Sequence, residues 1–467
     1  MQKNQKNKIM VSIKRMAAAA GMLILNFPLG GCLGKSQPAN VVTTETTTEA
    51  NMTSADSYEG RMSLRIELYL NAGAPRASKI IAGFDGNIES DESLEDLFLV
   101  RTGRTRADLE EVYLSDEDGN PVEGSSSYIT FVTNPETTEE FFTSSDDYSY
   151  TVWVDSYDVT VKLLTDRTIS IGGTQYSSLE IRQDGLEGVF SPLGDSYVKD
   201  TYTFDKITLQ RALWTPQDAG TDNVKNPLIV WLHGGGEGGT DVDIALYEYN
   251  PASMAEEKIQ SYFTTDDQAG AYVAVIQCPT MWLDCGDGVI GAWEESPDGQ
   301  VSIYTEALDA ALQDILSDNP DIDPARVYLT GCSNGGFMTL NMAVHYGNKY
   351  AAYVPICEAY NDANLPDSAI ETLKNLPIWF IQSDDDDVVN PVLFGVPTYY
   401  RLMEAGAGDV WYTMLTGWRH ESWKPFLSDE VTTVFDPANL PTAWETEFTN
   451  ENCTLYKGSV FDWLAEK

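Results

Sequence analysis

The stretch that decides the reading of this chain is Leu329-Thr330-Gly331-Cys332-Ser333-Asn334-Gly335-Gly336-Phe337. A serine and a cysteine stand side by side, boxed by glycines. The residues before it, RVYLTG (326–331), have the β-branched and apolar character of a buried strand. A helical pattern begins at Gly335. A tight strand-to-helix turn of this kind strains its central residue and pushes that side chain clear of the sheet, and glycines flank it where side chains would collide. Ser333 falls at the apex. Cys332, one residue earlier, is expected to point into the packing below, where a buried cysteine acts as a small inert hydrophobe.

A serine hydroxyl at such an apex is a nucleophile only when a base takes its proton. The chain has 3 histidines. His345 (MAVHYGNKY, 342–350) reads as a helix-end residue. His420 (GWRHESW, 417–423) falls in a loop after the last strand pattern and is the expected base. His233 opens HGGG (233–236) just after an earlier strand. Glycines there let the backbone approach a substrate carbonyl, and an N–H of Gly235 or Gly236, with that of Asn334 at the helix N-terminus, would hold a developing oxyanion. His233 itself is expected to order the loop. An acid is required between Ser333 and His420, at a strand end. WFIQSDDDDVVNP (379–391) offers Asp384, Asp385, Asp386 and Asp387. The competing readings of that run are a solvated loop and a set of calcium ligands.

Around this centre, strand and helix patterns alternate. ITLQRALWTP (207–216), NPLIVWL (226–232), AYVAVIQCP (271–279), LPIWFIQSD (376–384) and DVWYTML (409–415) read as strands. PASMAEEKIQSYF (251–263), YTEALDAALQDILSD (304–318), TYYRLMEAG (398–406) and SVFDWLAE (459–466) read as helices. That alternation predicts a mostly parallel sheet with helices on both faces. Earlier in the chain the period is two: in SLRIELYL (63–70), Leu64, Ile66, Leu68 and Leu70 alternate with Arg65, Glu67 and Tyr69. Further short strand patterns and turn signals such as Asp118-Gly119-Asn120-Pro121 predict an all-β sandwich of immunoglobulin type over 59–193, ahead of an α/β part over 194–467.

The first 32 residues read as an export signal. Lys3, Lys6, Lys8, Lys14 and Arg15 precede an apolar run, Met16 to Leu29, too short to span a bilayer comfortably. Leu29-Gly30-Gly31-Cys32 resembles the bacterial lipobox, which implies a lipid-modified Cys32 and an extracytoplasmic protein held on the cell membrane only by that anchor. An ordinary secretory signal is the alternative. Residues 33–58 (ANVVTTETTTEANMTSAD, 39–56, within them) read as a flexible linker. Cys278 and Cys285 are spaced to close a short loop, and an odd number of cysteines after Cys32 leaves a thiol free. No zinc-type spacing occurs, and no metal or other cofactor is expected.

With 467 residues and 42% hydrophobic content, the chain is long enough for more than one core. Acidic residues outnumber basic ones 72 to 29, a formal charge of −43. Such a surface repels nucleic acid and polyanions, so a neutral ligand is expected.

From about residue 197 to 467 the chain resembles the secreted bacterial α/β-hydrolase esterases near the polyhydroxybutyrate-depolymerase, feruloyl-esterase and prolyl-oligopeptidase-like groups. The segments that carry the resemblance are WLHGGGEGG (231–239), DPARVYLTGCSNGGFMTLNMA (323–343), YVPICEA (353–359) and DDDDVVNP (384–391). The preceding β region resembles the immunoglobulin-like domain found ahead of some of these esterases. In the family the acid turn reads His-Gly-x-x-Asp-x-x-Val-Pro; setting Gln382-Ser383 against His-Gly implies Asp386 as the acid, although the His-Gly start is missing here. The resemblance implies a serine carboxylesterase acting through Ser333, His420 and Asp386 on a small or polymer-attached ester, with feruloyl or acetyl esters of plant polysaccharides as candidates. A prolyl-oligopeptidase-type peptidase and a non-catalytic surface lipoprotein are the alternatives. PTMWLDCGDGVIGAWEESPDG (279–299) is a candidate cleft wall, with Trp282 and Trp293 either stacking on substrate or anchoring the loop. Residues 431–456 read as a lid or a surface insert.

Overall fold

The computed structural model describes residues 57–60, 62–71, 73–89, 93–145, 150–183, 185–186, 188–222, 224–286, 301–431 and 458–467. The residues read as an export signal, Cys32, most of the stretch read as a linker, Trp293 and nearly all of residues 431–456 lie outside them.

The N-terminal part is strand-rich and sandwich-like. A five-stranded sheet has the order Val189–Phe190, Met62–Asn71, Gly73–Phe84, Tyr128–Thr133, Leu109–Ser115. A four-stranded sheet has the order Glu180–Gln183, Val159–Leu163, Phe98–Thr102, Thr105–Arg106. The alternation read in the sequence sets which face packs: Leu64, Ile66 and Leu68 are buried while Ser63 and Tyr69 are exposed. Phe98 of one sheet meets Phe131 of the other edge-on, ring centres 5.2 Å apart. A separate hairpin, Phe142–Ser144 with Thr151–Trp153, matters for the site below.

The C-terminal part is the α/β-hydrolase fold. Its strands are β1 (Val198–Phe204), β2 (Ile207–Trp214), β3 (Asn226–Leu232), β4 (Tyr272–Gln277), β5 (Ile322–Cys332), β6 (Ala352–Ile356), β7 (Ile378–Ser383) and β8 (Val410–Leu415). They form one eight-stranded sheet in the order β1-β2-β4-β3-β5-β6-β7-β8. The β1–β2 and β2–β4 pairs are antiparallel and the others parallel. Every residue of β3 is buried, as a strand covered on both faces requires. Leu228, Val230 and Leu232 enter one core with Leu308, Ala311 and Leu312 of helix Thr305–Asp318. Ile229 and Trp231 enter the other, which takes in Phe461 and Trp463 of the last helix and is continuous with the sandwich core.

Several elements differ from the sequence reading: it includes no strand at β6 and no helix at Val242–Tyr247 or Asp367–Leu373, and two further cases have a plain physical cause. Residues 251–263 form a 3-10 turn, Pro251–Ala255, and a one-turn helix, Glu257–Gln260, instead of one helix. The Gln260 side-chain amide donates to the carbonyls of Met254 and Ala271, tying the segment down before a longer helix can propagate. Strand β1 carries no apolar alternation because it is a mostly exposed edge, held by its register with β2. Among the described residues no helix is long and apolar enough to cross a membrane.

Candidate active site

Parallel strands deliver their following loops to one edge of the sheet, where α/β sheets bind ligands. Here that edge gathers residues 233–239 after β3, 278–286 after β4, Ser333 after β5, Cys357–Tyr360 after β6, the four aspartates after β7 and Thr416–Glu421 after β8.

Ser333 has φ +55° and ψ −114°, between the end of β5 and helix Asn334–Tyr346. Its N–H donates to the Ile356 carbonyl at 2.8 Å, pinning the turn to β6. The glycines are forced by space. A Cβ on Gly335 would lie 1.9 Å from the Leu232 carbonyl oxygen, on Gly331 2.7 Å from the same atom, and on Gly336 2.7 Å from the Ile356 carbonyl oxygen. Cys332 is fully buried, and burial pushes its thiol well up, so it is held as the neutral thiol beneath the turn.

The structure brings Ser333, His420 and Asp386 together. The Ser333 hydroxyl lies 3.0 Å from His420 Nε2. His420 Nδ1 lies 2.9 Å from Asp386 Oδ2 and 3.1 Å from Oδ1, which assigns the Nδ1–H tautomer and leaves Nε2 to accept from the serine. The Asp386 side chain is completely buried, and its Oδ1 also accepts the backbone N–H groups of Val388 and Val389 at 3.0 and 2.8 Å. A base and its orienting acid within hydrogen-bond reach of a hydroxyl form a nucleophile relay.

The other three aspartates are not simply solvated. Asp385 Oδ1 accepts the Ser383 hydroxyl at 2.6 Å and the Arg419 N–H at 2.9 Å. Asp384 accepts the Thr416 hydroxyl at 3.2 Å, and Asp387 pairs with the Arg419 guanidinium. All four carboxylates thus bond to the 416–420 loop, Asp385 and Asp387 through the backbone and the side chain of the same Arg419. Among the described residues, the one group whose possible metal-ligating atoms converge is Cys357, Asp386 and His420, within 4.8 Å, and two of these are already bonded to each other.

The glycine loop after β3 is ordered by two buried side chains. His233 Nδ1–H donates to the Gly234 carbonyl at 2.6 Å, and Nε2 accepts the Cys278 N–H at 3.1 Å. Burial lowers its pKa to about 4, so it stays neutral and suited to that accepting role. Glu237, also fully buried, accepts the Gly234 N–H at 2.6 Å. Burial first, and Glu248 second, push its carboxyl well above the usual range. Among the described residues the N–H groups of Gly235, Gly236 and Asn334 meet no protein acceptor, and they lie on the two loops flanking Ser333. The Asn334 side chain is turned to the β4 loop, where Oδ1 accepts the Leu283 N–H at 2.9 Å.

Of the two readings of Trp282, anchoring the loop holds and stacking on substrate does not. It is fully buried, packed against His233 at 5.2 Å and edge-on to Tyr304 at 5.7 Å between ring centres, so it anchors the β4 loop from beneath and offers no stacking face to a ligand. Met281, its neighbour, is partly exposed and sits against Gly235. Cys278, Cys332 and Cys357 are buried free thiols, so the short 278–285 loop is not closed by a disulfide. His345 is exposed in the last turn of its helix. The sequence reading missed Glu237, Glu248 and Glu358, three carboxyls pushed up by burial. Nothing in their local sequence marks them, since burial is set by distant chain.

Residues 220–433 match the family described as phospholipase/carboxylesterase. No curated protein matches the chain significantly. Among solved structures, a thermostable esterase is 22% identical, covers 79% of this chain and 96% of its own, and superposes with a TM-score of 0.63, which shows a shared fold. An S-formylglutathione hydrolase from Agrobacterium tumefaciens is 11% identical, covering 50% of this chain and 93% of its own, with a TM-score of 0.36. A ferulic acid esterase from Anaeromyces mucronatus is 15% identical, covering 50% of this chain and 88% of its own, with a TM-score of 0.34.

Proposed function

We propose that this chain is a serine carboxylesterase that works through an acyl-enzyme. The observation that carries the proposal is the unbroken relay from Ser333 Oγ to His420 Nε2 at 3.0 Å and from His420 Nδ1 to Asp386 at 2.9 Å.

In this reading, the Ser333 oxygen attacks the ester carbonyl as His420 takes its proton. Asp386 holds the tautomer and stabilises the imidazolium. The N–H of Asn334 and one of Gly235 or Gly236 receive the oxyanion, each worth about 3 kcal/mol in the transition state. His420 then protonates the departing alcohol. Water repeats the sequence on the acyl-enzyme and regenerates the serine. Every proton moved belongs to Ser333, His420 or water.

Ser333→Ala tests this directly. Hydrolysis of p-nitrophenyl butyrate should vanish while the folded spectrum and melting temperature persist; substantial remaining turnover would overturn the assignment. The acyl and alcohol parts we propose, following the sequence resemblance, are feruloyl or acetyl groups on plant polysaccharide. A panel of methyl ferulate, acetylated xylan, p-nitrophenyl butyrate and a proline anilide ranks these against each other and against a peptidase. We further propose that Cys32 carries a lipid anchor outside the cytoplasmic membrane. Cys32→Ser should then release the protein from the membrane fraction and abolish fatty-acid labelling.

A further inference from the structure

The glycine loop has no side chains of its own at 234–236 to fix it, and glycine backbone is the least restrained of any residue. Its position is imposed from outside. From within the α/β part, Glu237 takes the Gly234 N–H, the Gln277 side chain donates to the Glu237 carbonyl at 2.8 Å, and Gly239 N–H donates to the Cys278 carbonyl at 2.9 Å. From the other side the clamp is the sandwich hairpin. The Thr151 N–H donates to the Gly236 carbonyl at 2.7 Å. The Thr151 hydroxyl donates to Glu248 Oε1 at 3.0 Å. Trp153 Nε1–H donates to Asp241 Oδ2 at 2.9 Å, and Asp241 caps the helix Val242–Tyr247 by which the chain leaves the loop.

The hairpin is built to spare that amide. Thr151 stands opposite Ser144, and Val152 opposite Thr143. Ser145 N–H bonds to the Tyr150 carbonyl and Val154 N–H to the Phe141 carbonyl, which places the bonded pairs at every second position. Bonded and unbonded pairs alternate along an antiparallel ladder, so the Thr151 N–H points out of the hairpin and into the loop. The two pinned groups, Gly234 N–H and Gly236 C=O, bracket the N–H groups of Gly235 and Gly236.

We infer that Thr151 is a positioning residue for the oxyanion hole, so that the N-terminal sandwich completes the catalytic unit. The inference rests on the esterase reading above. Donors that act on the oxyanion stabilise the transition state and not the bound ester, so misplacing them lowers kcat and spares KM.

Thr151→Pro removes the amide hydrogen while leaving the hairpin's own bonds. Its kcat on p-nitrophenyl butyrate should fall by about tenfold or more, with KM within about twofold and affinity for a boronic acid that mimics the tetrahedral state falling in step with kcat/KM. Thr151→Val, which keeps the amide and loses only the hydroxyl, should retain most of the activity. A folded Thr151→Pro enzyme with wild-type kcat and boronate affinity would overturn the inference. Should Thr151→Pro not fold, Trp153→Phe deletes the second tie. It should lower kcat and boronate affinity together by about threefold, and unchanged values would again overturn the inference. Ser333→Ala assayed alongside separates the two claims: if it stays active, the esterase reading fails, whereas inactive Ser333→Ala beside fully active Thr151→Pro sinks the positioning role alone.

Discussion

The Arg419 N–H donates to Asp385 Oδ1 at 2.9 Å, one residue before the histidine and one residue before the carboxylate of the His420–Asp386 pair. Two consecutive aspartates therefore hold two consecutive residues of the facing loop, one through backbone and one through imidazole. Arg419 sits at φ +48°, a conformation that needs such support. The Ser383 hydroxyl, and after it the Arg419 amide, hold the Asp385 carboxyl below its ordinary range.

Asp385→Ala should accordingly misplace His420. We expect kcat to fall by about tenfold with KM little changed, since small displacements of a base are costly to the chemical step. Asp387→Asn removes an exposed ion pair with the same arginine and should change kcat by less than about twofold. Steady-state kinetics on one p-nitrophenyl ester compares the two.

Asp386→Asn should be the severe substitution in the run. An amide at that position favours the wrong histidine tautomer, and kcat should drop by about 10³–10⁴-fold with the fold intact. Asp384→Asn should stay within about threefold of wild type. If Asp384 or Asp387 proved the more damaging position, the acid would have been misassigned.

Gly335→Ala should fail to give soluble enzyme. Its Cβ would meet two successive backbone carbonyls at the end of β3, 1.9 Å from the Leu232 oxygen and 2.7 Å from that of His233, and that strand end cannot retreat without moving the glycine loop. Gly408→Ala, with open space around it, is the control and should express normally. Soluble yield and melting temperature decide the matter.

Glu248 makes stability fall between mildly acid and neutral pH. Burial raises its pKa from the ordinary 4.5 to about 7. Between those values the unfolded chain has lost a proton that the native protein keeps. The Glu248 contribution to stability is therefore full below pH 4.5, declines as pH rises to about 7, and is level above. Glu248→Gln removes this decline. At pH 8 the variant should be the more stable by on the order of 2 kcal/mol, with the gap closing near pH 4.5. Urea midpoints at the two pH values test this. His233 has the opposite sign, losing stability as pH falls from 6.5 towards about 4, and is common to both proteins.

The sequence made the elbow legible because its determinants are local: a strand, a glycine whose Cβ has no room, an apex serine and a helix. Most of the strands and the longer helices were legible for the same reason, while strand β6 and the short helices Val242–Tyr247 and Asp367–Leu373 were not. Asp386 stood out from its neighbours only through the family resemblance. The structure separates the four by partner, and those partners lie about thirty residues further along the chain. The two readings of Trp282 stayed open because an indole in a glycine-rich loop looks the same in sequence whether it faces solvent or packs on His233. Thr151 carried no signal at all. Its contact with Gly236 joins residues far apart in the chain through backbone atoms, which leave no mark on residue type.

The left-handed backbone of Ser333 has a bearing on how this protein would respond to selection. Glycine would occupy that apex without strain, so Ser333→Gly should melt at a higher temperature than the parent. A screen for heat resistance alone would favour the loss of the hydroxyl, and only a demand for turnover keeps it there.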